Sequence, residues 1–208
     1  MARAAPSRRA EASARLRDAI VAATVRIVAR DGVAAVTHRR VAEEAGVSLS
    51  STTWHFDSKA DILEAALTWT ARREIERVEE MAARVTAASA QGFDREAWSR
   101  ELAAWVVEQS EGAEREVTIA LYRLQLETLG RPAAVGIHRE WGQALQAIGT
   151  RVLAPAGSDD PGLDTRLVVA ALDGLRLQLL SLREQDAAVD TEWIAPAILR
   201  LLRTLVGG

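Results

Sequence analysis

Apolar residues recur at every third or fourth position along almost the whole chain, and no window alternates convincingly with a period of two. Spacing of that kind draws one apolar stripe along a helix, whereas a half-buried strand needs strict alternation. The expected fold class is therefore all-α. Patterning begins near Ala14, where Leu16, Ile20, Ala23, Ile27 and Val28 share one face, and Gly32 ends that helix. Thr37 is a suitable N-cap for a short second helix that turns Val41, Ala42 and Ala45 inward and closes at Gly46. Ser48 can cap a third short helix running to His55. Ser58, with Asp61 three residues on, resembles a capping box for a fourth through Ile62, Leu63, Ala66 and Trp69 towards Ala83. Further helices are expected over about 94–109, 113–129, 132–152, 163–183 and 191–206, the last capped by Asp190, with residues 155–162 as the clearest loop.

Charge is unevenly divided along this pattern. Met1 to Lys59 holds ten basic and six acidic residues, a balance of +4, while the remainder holds 16 basic and 23 acidic residues, a balance of −7. A basic front on an acidic body suits a polyanionic partner for the front alone, although chance clustering gives the same numbers. Residues 1–13, with Pro6, Arg3, Arg8 and Arg9 and no apolar periodicity, are expected to form a flexible basic arm. The absence of cysteine excludes disulfides, thiolate metal sites and cysteine nucleophiles. No apolar run approaches the roughly 20 residues of a membrane helix, and no signal-peptide pattern opens the chain, so a cytoplasmic protein is expected.

Residues 36–59 read VTHRRVAEEAGVSLSSTTWHFDSK. Physically this is two short helices joined by a tight turn at Gly46, with Ala42 and Ala45 where the helices must approach. Such a unit can lay its second helix in the DNA major groove while the first crosses the backbone. That second helix is built of small hydroxyl and aromatic groups, which fill a core poorly but donate well to phosphates and base edges. On spacing alone, a polar surface helix between two bundle helices fits equally well.

The residues themselves narrow the choice. Thr37, then Ala45-Gly46-Val47-Ser48, then Ser50 to Thr53, His55-Phe56 and Ser58-Lys59 follow in an order that resembles the signature of the TetR family of transcriptional regulators. The resemblance covers about residues 15–65. It implies a helix-turn-helix DNA-binding domain over 14–60 and a helical ligand-sensing and dimerisation domain over 61–208. It also implies DNA contacts from Thr37, His38 and Arg39 at the start of the first motif helix, and from Leu49, Ser50, Ser51, Thr53, Trp54 and His55 on the recognition helix. Lys59 stands where relatives hold a phosphate. Two positions depart from the family pattern. Ser50 replaces a common glycine or proline, and Thr53 stands where tyrosine is usual, with Trp54 beside it. Phe56 is assigned to the core; Trp54 is assigned to the DNA face, packing on a neighbouring helix being the alternative.

For the body, the resemblance implies a homodimer paired through the helices at 163–183 and 191–206, and an operator with two-fold symmetry. Leu167, Val168, Ala171, Leu172, Leu175, Leu179 and Leu182 give the first of these an apolar face, and Ile194, Ile198, Leu201, Leu202 and Leu205 the second; both could equally serve only the internal core. Trp69, Trp98, Trp105, Tyr122, His138 and Trp141 fall between the motif and those helices, where relatives hold an effector. They are candidates to line a pocket for an apolar or flat molecule, and plain core packing is the competing reading. No metal or cofactor is expected. Catalysis is disfavoured because His38 and His55 lie in the motif, leaving only His138, and no glycine-rich phosphate loop or nucleophile elbow is present. The expected function is a repressor released from its operator by a small, largely apolar ligand. A helical small-molecule-binding or interaction protein without operator binding is the alternative.

Overall fold

A computed structural model describes residues 8–88, 93–183 and 189–206. Among them the chain forms nine α-helices: α1 (Arg8–Asp31), α2 (His38–Ala45), α3 (Leu49–His55), α4 (Lys59–Ala88), α5 (Arg95–Glu108), α6 (Gly112–Glu127), α7 (Pro132–Leu153), α8 (Pro161–Arg183) and α9 (Ile194–Leu205). They belong to two structural units. The first comprises the described residues up to Ala71 together with Ile119–Ile137; the second comprises Arg72–Thr118 together with the described residues from His138 onward. Among the described residues no helix is long and apolar enough to cross a membrane.

In the first unit the stripe read on α1 is buried: Ile20, Ala23, Ile27 and Val28 are each fully inaccessible and pack with Val36, Val41, Phe56, Ile62, Leu63 and Leu67. Gly32, at φ 82°, takes the left-handed turn that stops α1. The carbonyls of Val28 and Ala29 at that end accept bonds from Arg123 Nη1 of α6, both at 2.8 Å, so a cation sits where the helix dipole favours one. The start of α1 differs from the sequence expectation. Residues 8–13 of the expected arm are helical, because Arg8 to Ala14 is an alanine- and arginine-rich run with high helix propensity and no breaker, so α1 extends without needing an apolar face. Arg8 and Arg9 are exposed on its first turns, and Arg3 lies outside the described residues.

The second unit is centred on Met81, Val85, Trp98, Leu102, Trp105, Val106, Leu153, Leu172, Leu179, Ile194, Ile198 and Leu202. Here α5 packs against both α8 and α9. Asp94 caps α5 by accepting from Ala97 N at 2.9 Å, and Arg95 Nη2 donates to the Val206 carbonyl at 2.9 Å. Two boundaries differ from the sequence reading. Pro161 starts α8 inside the expected loop, since proline suits the first helical position and Asp160 accepts from Leu163 N at 2.9 Å. Asp190 does not cap α9 directly. Its carboxylate accepts from Glu192 N at 2.9 Å and organises a turn, and α9 begins at Ile194.

Close approach of α7 and α8 depends on Gly149. A Cβ built there would stand 2.3 Å from Thr165 Cγ2 and 2.8 Å from its Oγ1. Thr165 is 1 % exposed and donates to the Pro161 carbonyl at 2.6 Å, so it has little freedom to yield. Gly149→Ala is therefore expected to destabilise the protein by about 1–3 kcal/mol through overpacking, read as a lower urea midpoint. An unchanged midpoint would show that the helices separate freely at this point.

Candidate functional site

The motif is assembled by local bonds that each residue type predicts. Thr37 Oγ1 accepts from Arg40 N at 3.2 Å and starts α2, leaving the hydroxyl hydrogen free to donate outward. Gly46 ends α2 in the left-handed region, at φ 68° and ψ 30°. Ser48 Oγ then accepts from Ser51 N at 3.1 Å and starts α3. The Ser58–Asp61 capping box is reciprocal: Ser58 N donates to Asp61 Oδ2 at 2.8 Å, and Asp61 N to Ser58 Oγ at 3.2 Å.

These constraints sort α3 into two faces. Thr52 is fully buried and donates to the Leu49 carbonyl at 2.7 Å, and Phe56 is 4 % exposed in the core of the first unit, as expected for it. Arg17 lies over the Phe56 ring, 5.2 Å from its centroid. Leu49, Ser50, Thr53 and Trp54 are exposed, as are Thr37 and Arg39, while Ser51, His38, His55 and Lys59 are half-buried. Trp54 is 73 % exposed. An indole left that open contributes almost nothing to folding, so packing on a neighbouring helix is not its role here. Arg39 pairs with Glu43 at 3.0 Å on the open surface of α2, a contact weak enough to be exchanged for a phosphate. Lys59 Nζ donates to the Ala34 carbonyl at 3.3 Å, which holds the ammonium beside the loop that leads into α2.

The six residues read as pocket candidates are not brought together. Trp69 is half-buried against the core of the first unit, and Tyr122 belongs to that unit as well. His138 and Trp141 lie in the second unit with ring centroids 6.4 Å apart, and His138 borders a polar groove with Arg139, Arg151 and Arg166. Only Trp98 and Trp105 line the apolar cavity of the second unit. They share its wall with Val78, Met81, Leu102, Ile148 and Leu172. The space inside that a water-sized sphere can reach is about 80 Å³.

Sequence reading missed the charged part of this wall. Glu74 and Asp173 line the cavity, and Glu74 is 2 % exposed. Its carboxylate accepts from Arg77 Nη2 at 2.7 Å and from Arg176 Nη1 at 2.6 Å. Arg176 also donates to Asp173 Oδ1 at 2.5 Å and lies over Trp105, 4.9 Å from the ring centroid. Arg77 and Arg73 both pair with Glu114. The available signal was Arg176 itself, a lone cation within the apolar run LVVAALDGLRLQLL.

Residues 20–66 match the sequence profile of the tetR family of bacterial regulatory proteins, and residues 93–208 match the tetracyclin repressor-like C-terminal domain. No curated protein sequence matches the chain. Among solved structures, the multidrug binding protein EbrR complexed with ethidium is 34 % identical, with a TM-score of 0.64 over 89 % of this chain and 97 % of that one. A TetR-family member from Streptomyces coelicolor A3 is 35 % identical, with a TM-score of 0.61 over 89 % of this chain and 97 % of that one. A transcriptional regulator from Rhodococcus sp. Rha1, 21 % identical, shares the fold with a TM-score of 0.68 over 91 % of this chain and 95 % of its own.

One property of the motif is testable without DNA. Burial, reinforced by the positive charge of Arg17, holds the His55 imidazole below its ordinary pKa, and its Nε2 is buried without a hydrogen-bond partner. The unfolded chain therefore takes up this proton first as the pH falls. The contribution of His55 to stability is complete above about pH 6.5 and is lost as the pH drops through the lower folded value. In NMR titration of the free protein the His55 midpoint should fall below about 6.5, the ordinary histidine value. His55→Gln should also flatten the loss of stability on acidification; a midpoint at or above the ordinary value would contradict a neutral, packed ring.

Proposed function

As a member of the tetR family of bacterial regulatory proteins, the chain is a DNA-binding transcriptional regulator. We propose that it acts as a repressor, binding a palindromic operator as a homodimer and releasing it when a small, largely apolar ligand enters the cavity of the second unit. In this reading residues 14–60 form the DNA-binding domain and residues 61–208 the sensing and dimerisation domain. The observation that carries it is the outward face of the motif, where Trp54 is 73 % exposed among Leu49, Ser50 and Thr53. Ser50, Ser51 and Thr53 offer hydroxyls to base edges and phosphates. Thr37, His38, Arg39, His55 and Lys59 border them, and the exposed Trp54 would donate its N–H to a phosphate in the stead of the family's tyrosine.

Dimerisation is supported by α8. Leu163, Leu167, Ala170, Gly174, Leu177 and Ser181 fall on one side of that helix, and all six are exposed. An apolar stripe with a glycine at its centre suits close pairing with a second copy. The apolar face of α9 is committed elsewhere, since Ile194, Ile198 and Leu202 are buried in the second unit's own core. The proposed interface therefore rests on α8 more than on α9.

Ligand release rests on the cavity and on α4. That helix begins at Lys59, just after the recognition helix, and continues to Val78, Met81 and Val85 on the cavity wall. EbrR is known in complex with ethidium, malachite green, proflavin and imidazole. An apolar cavity with two indoles suits an apolar or flat ligand in this chain. At about 80 Å³ it must widen first, because drug-sized ligands occupy roughly 300–1,000 Å³. A ligand that binds the widened form better shifts the protein towards it, by no more than that difference in affinity.

Selection from a random duplex pool should recover a palindrome whose binding weakens steeply with salt. On the recovered site, Lys59→Ala should reduce the salt slope by about one phosphate contact and Trp54→Ala should cost roughly ten-fold in affinity. Failure to recover any site would favour the alternative, a ligand-binding protein that does not bind an operator. Gly174→Glu, which introduces a charge into the α8 stripe, should give a monomer in sedimentation analysis; a dimer that survives it would place the interface elsewhere.

A further inference from the structure

Among its described lining residues, the charged groups of the apolar cavity are both carboxylates, Glu74 and Asp173. The cation that bridges them is Arg176, which bonds Glu74 Oε1 at 2.6 Å and Asp173 Oδ1 at 2.5 Å and stacks 4.9 Å above the Trp105 ring centroid. Two carboxylates and an indole face are the groups that hold a planar organic cation. We propose that this is a cation subsite already filled by the protein's own guanidinium, and that a ligand carrying a delocalised positive charge displaces Arg176 and takes its place. The inference rests on the ligand-release reading and names the chemical class of the ligand.

Two observations support exchange rather than a fixed ion pair. Glu74 keeps a second partner, Arg77, at 2.7 Å, so the departure of Arg176 frees one oxygen without leaving the carboxylate unpaired. The Asp173 side chain is 46 % exposed, so its carboxylate keeps water when Arg176 leaves it.

Charge balance then selects the ligand. Exchanging one cation for another leaves the net charge around Glu74 and Asp173 unchanged. A neutral ligand gains no such balance, because Glu74 and Asp173 hold Arg176 in place against it. A compact ammonium is also disfavoured, since Val78, Met81, Leu102 and Ile148 cannot replace its hydration.

The test compares proflavin, a cation at pH 7.5, with acridine, its uncharged counterpart at that pH, by fluorescence titration of the full-length protein. Arg176→Gln removes the internal competitor and should tighten proflavin binding about ten-fold while changing acridine binding by less than about three-fold. Asp173→Asn, at a half-exposed position, removes one of the two carboxylates that meet the ligand cation and should weaken proflavin selectively. It serves as the deciding variant should Arg176→Gln not fold. Equal effects on both dyes, or weaker proflavin binding to Arg176→Gln, would make Arg176 a structural ion pair and overturn the inference while leaving ligand release intact. If neither dye binds the unaltered protein, the ligand reading falls and the inference with it.

Discussion

Helices of eight and seven residues do not persist alone in water, so α2 and α3 exist only because they bury one face on α1. Val41, Ala42, Thr52 and Phe56 supply that face, and Ile20, Ile27 and Val28 of α1 receive it. Because the inward residues carry the stability, the outward residues are released from any packing duty. A tryptophan can then stand open among serines and threonines without threatening the fold. The same dependence explains why the end of α1 is so fully satisfied, by the left-handed turn at Gly32 and by Arg123 on the last carbonyls. If α1 frayed there, the support for both short helices would go with it.

The second unit solves a different problem. Its interior is apolar, yet Glu74, Arg77 and Arg176 are each no more than 3 % exposed within it. Buried ion pairs of this kind seldom raise stability above what well-packed apolar residues would give, because desolvation offsets most of their attraction. Their worth lies in what they make available at the cavity wall. Each partner is bonded more than once, so one bond can be surrendered without leaving a bare charge. A wall made wholly of leucine and valine would offer no such exchange.

Much of the motif could be read from sequence because its determinants are local. Thr37, Ser48 and the Ser58–Asp61 pair cap helices within three residues of themselves, and Gly46 turns the chain by its own backbone freedom. Where competing local tendencies met, the reading slipped. The alanine-rich run after Arg8 carried helix into the expected arm, and the side chain of Asp190 organised a turn rather than the first turn of α9.

The sequence by itself determined an all-helical chain and the positions of the motif helices, because helical period and capping chemistry act over a few residues. Tertiary structure decided which aromatics share a space. Trp98 and Trp105 meet at the cavity, while Trp69 and Tyr122 belong to the first unit, a division that depends on contacts between helices distant in sequence. It also decided that Glu74 of α4 would meet Arg176 of α8, 102 residues later, against the face of an indole from α5. Periodicity assigns a residue to a face of its own helix; only packing says what that face will meet.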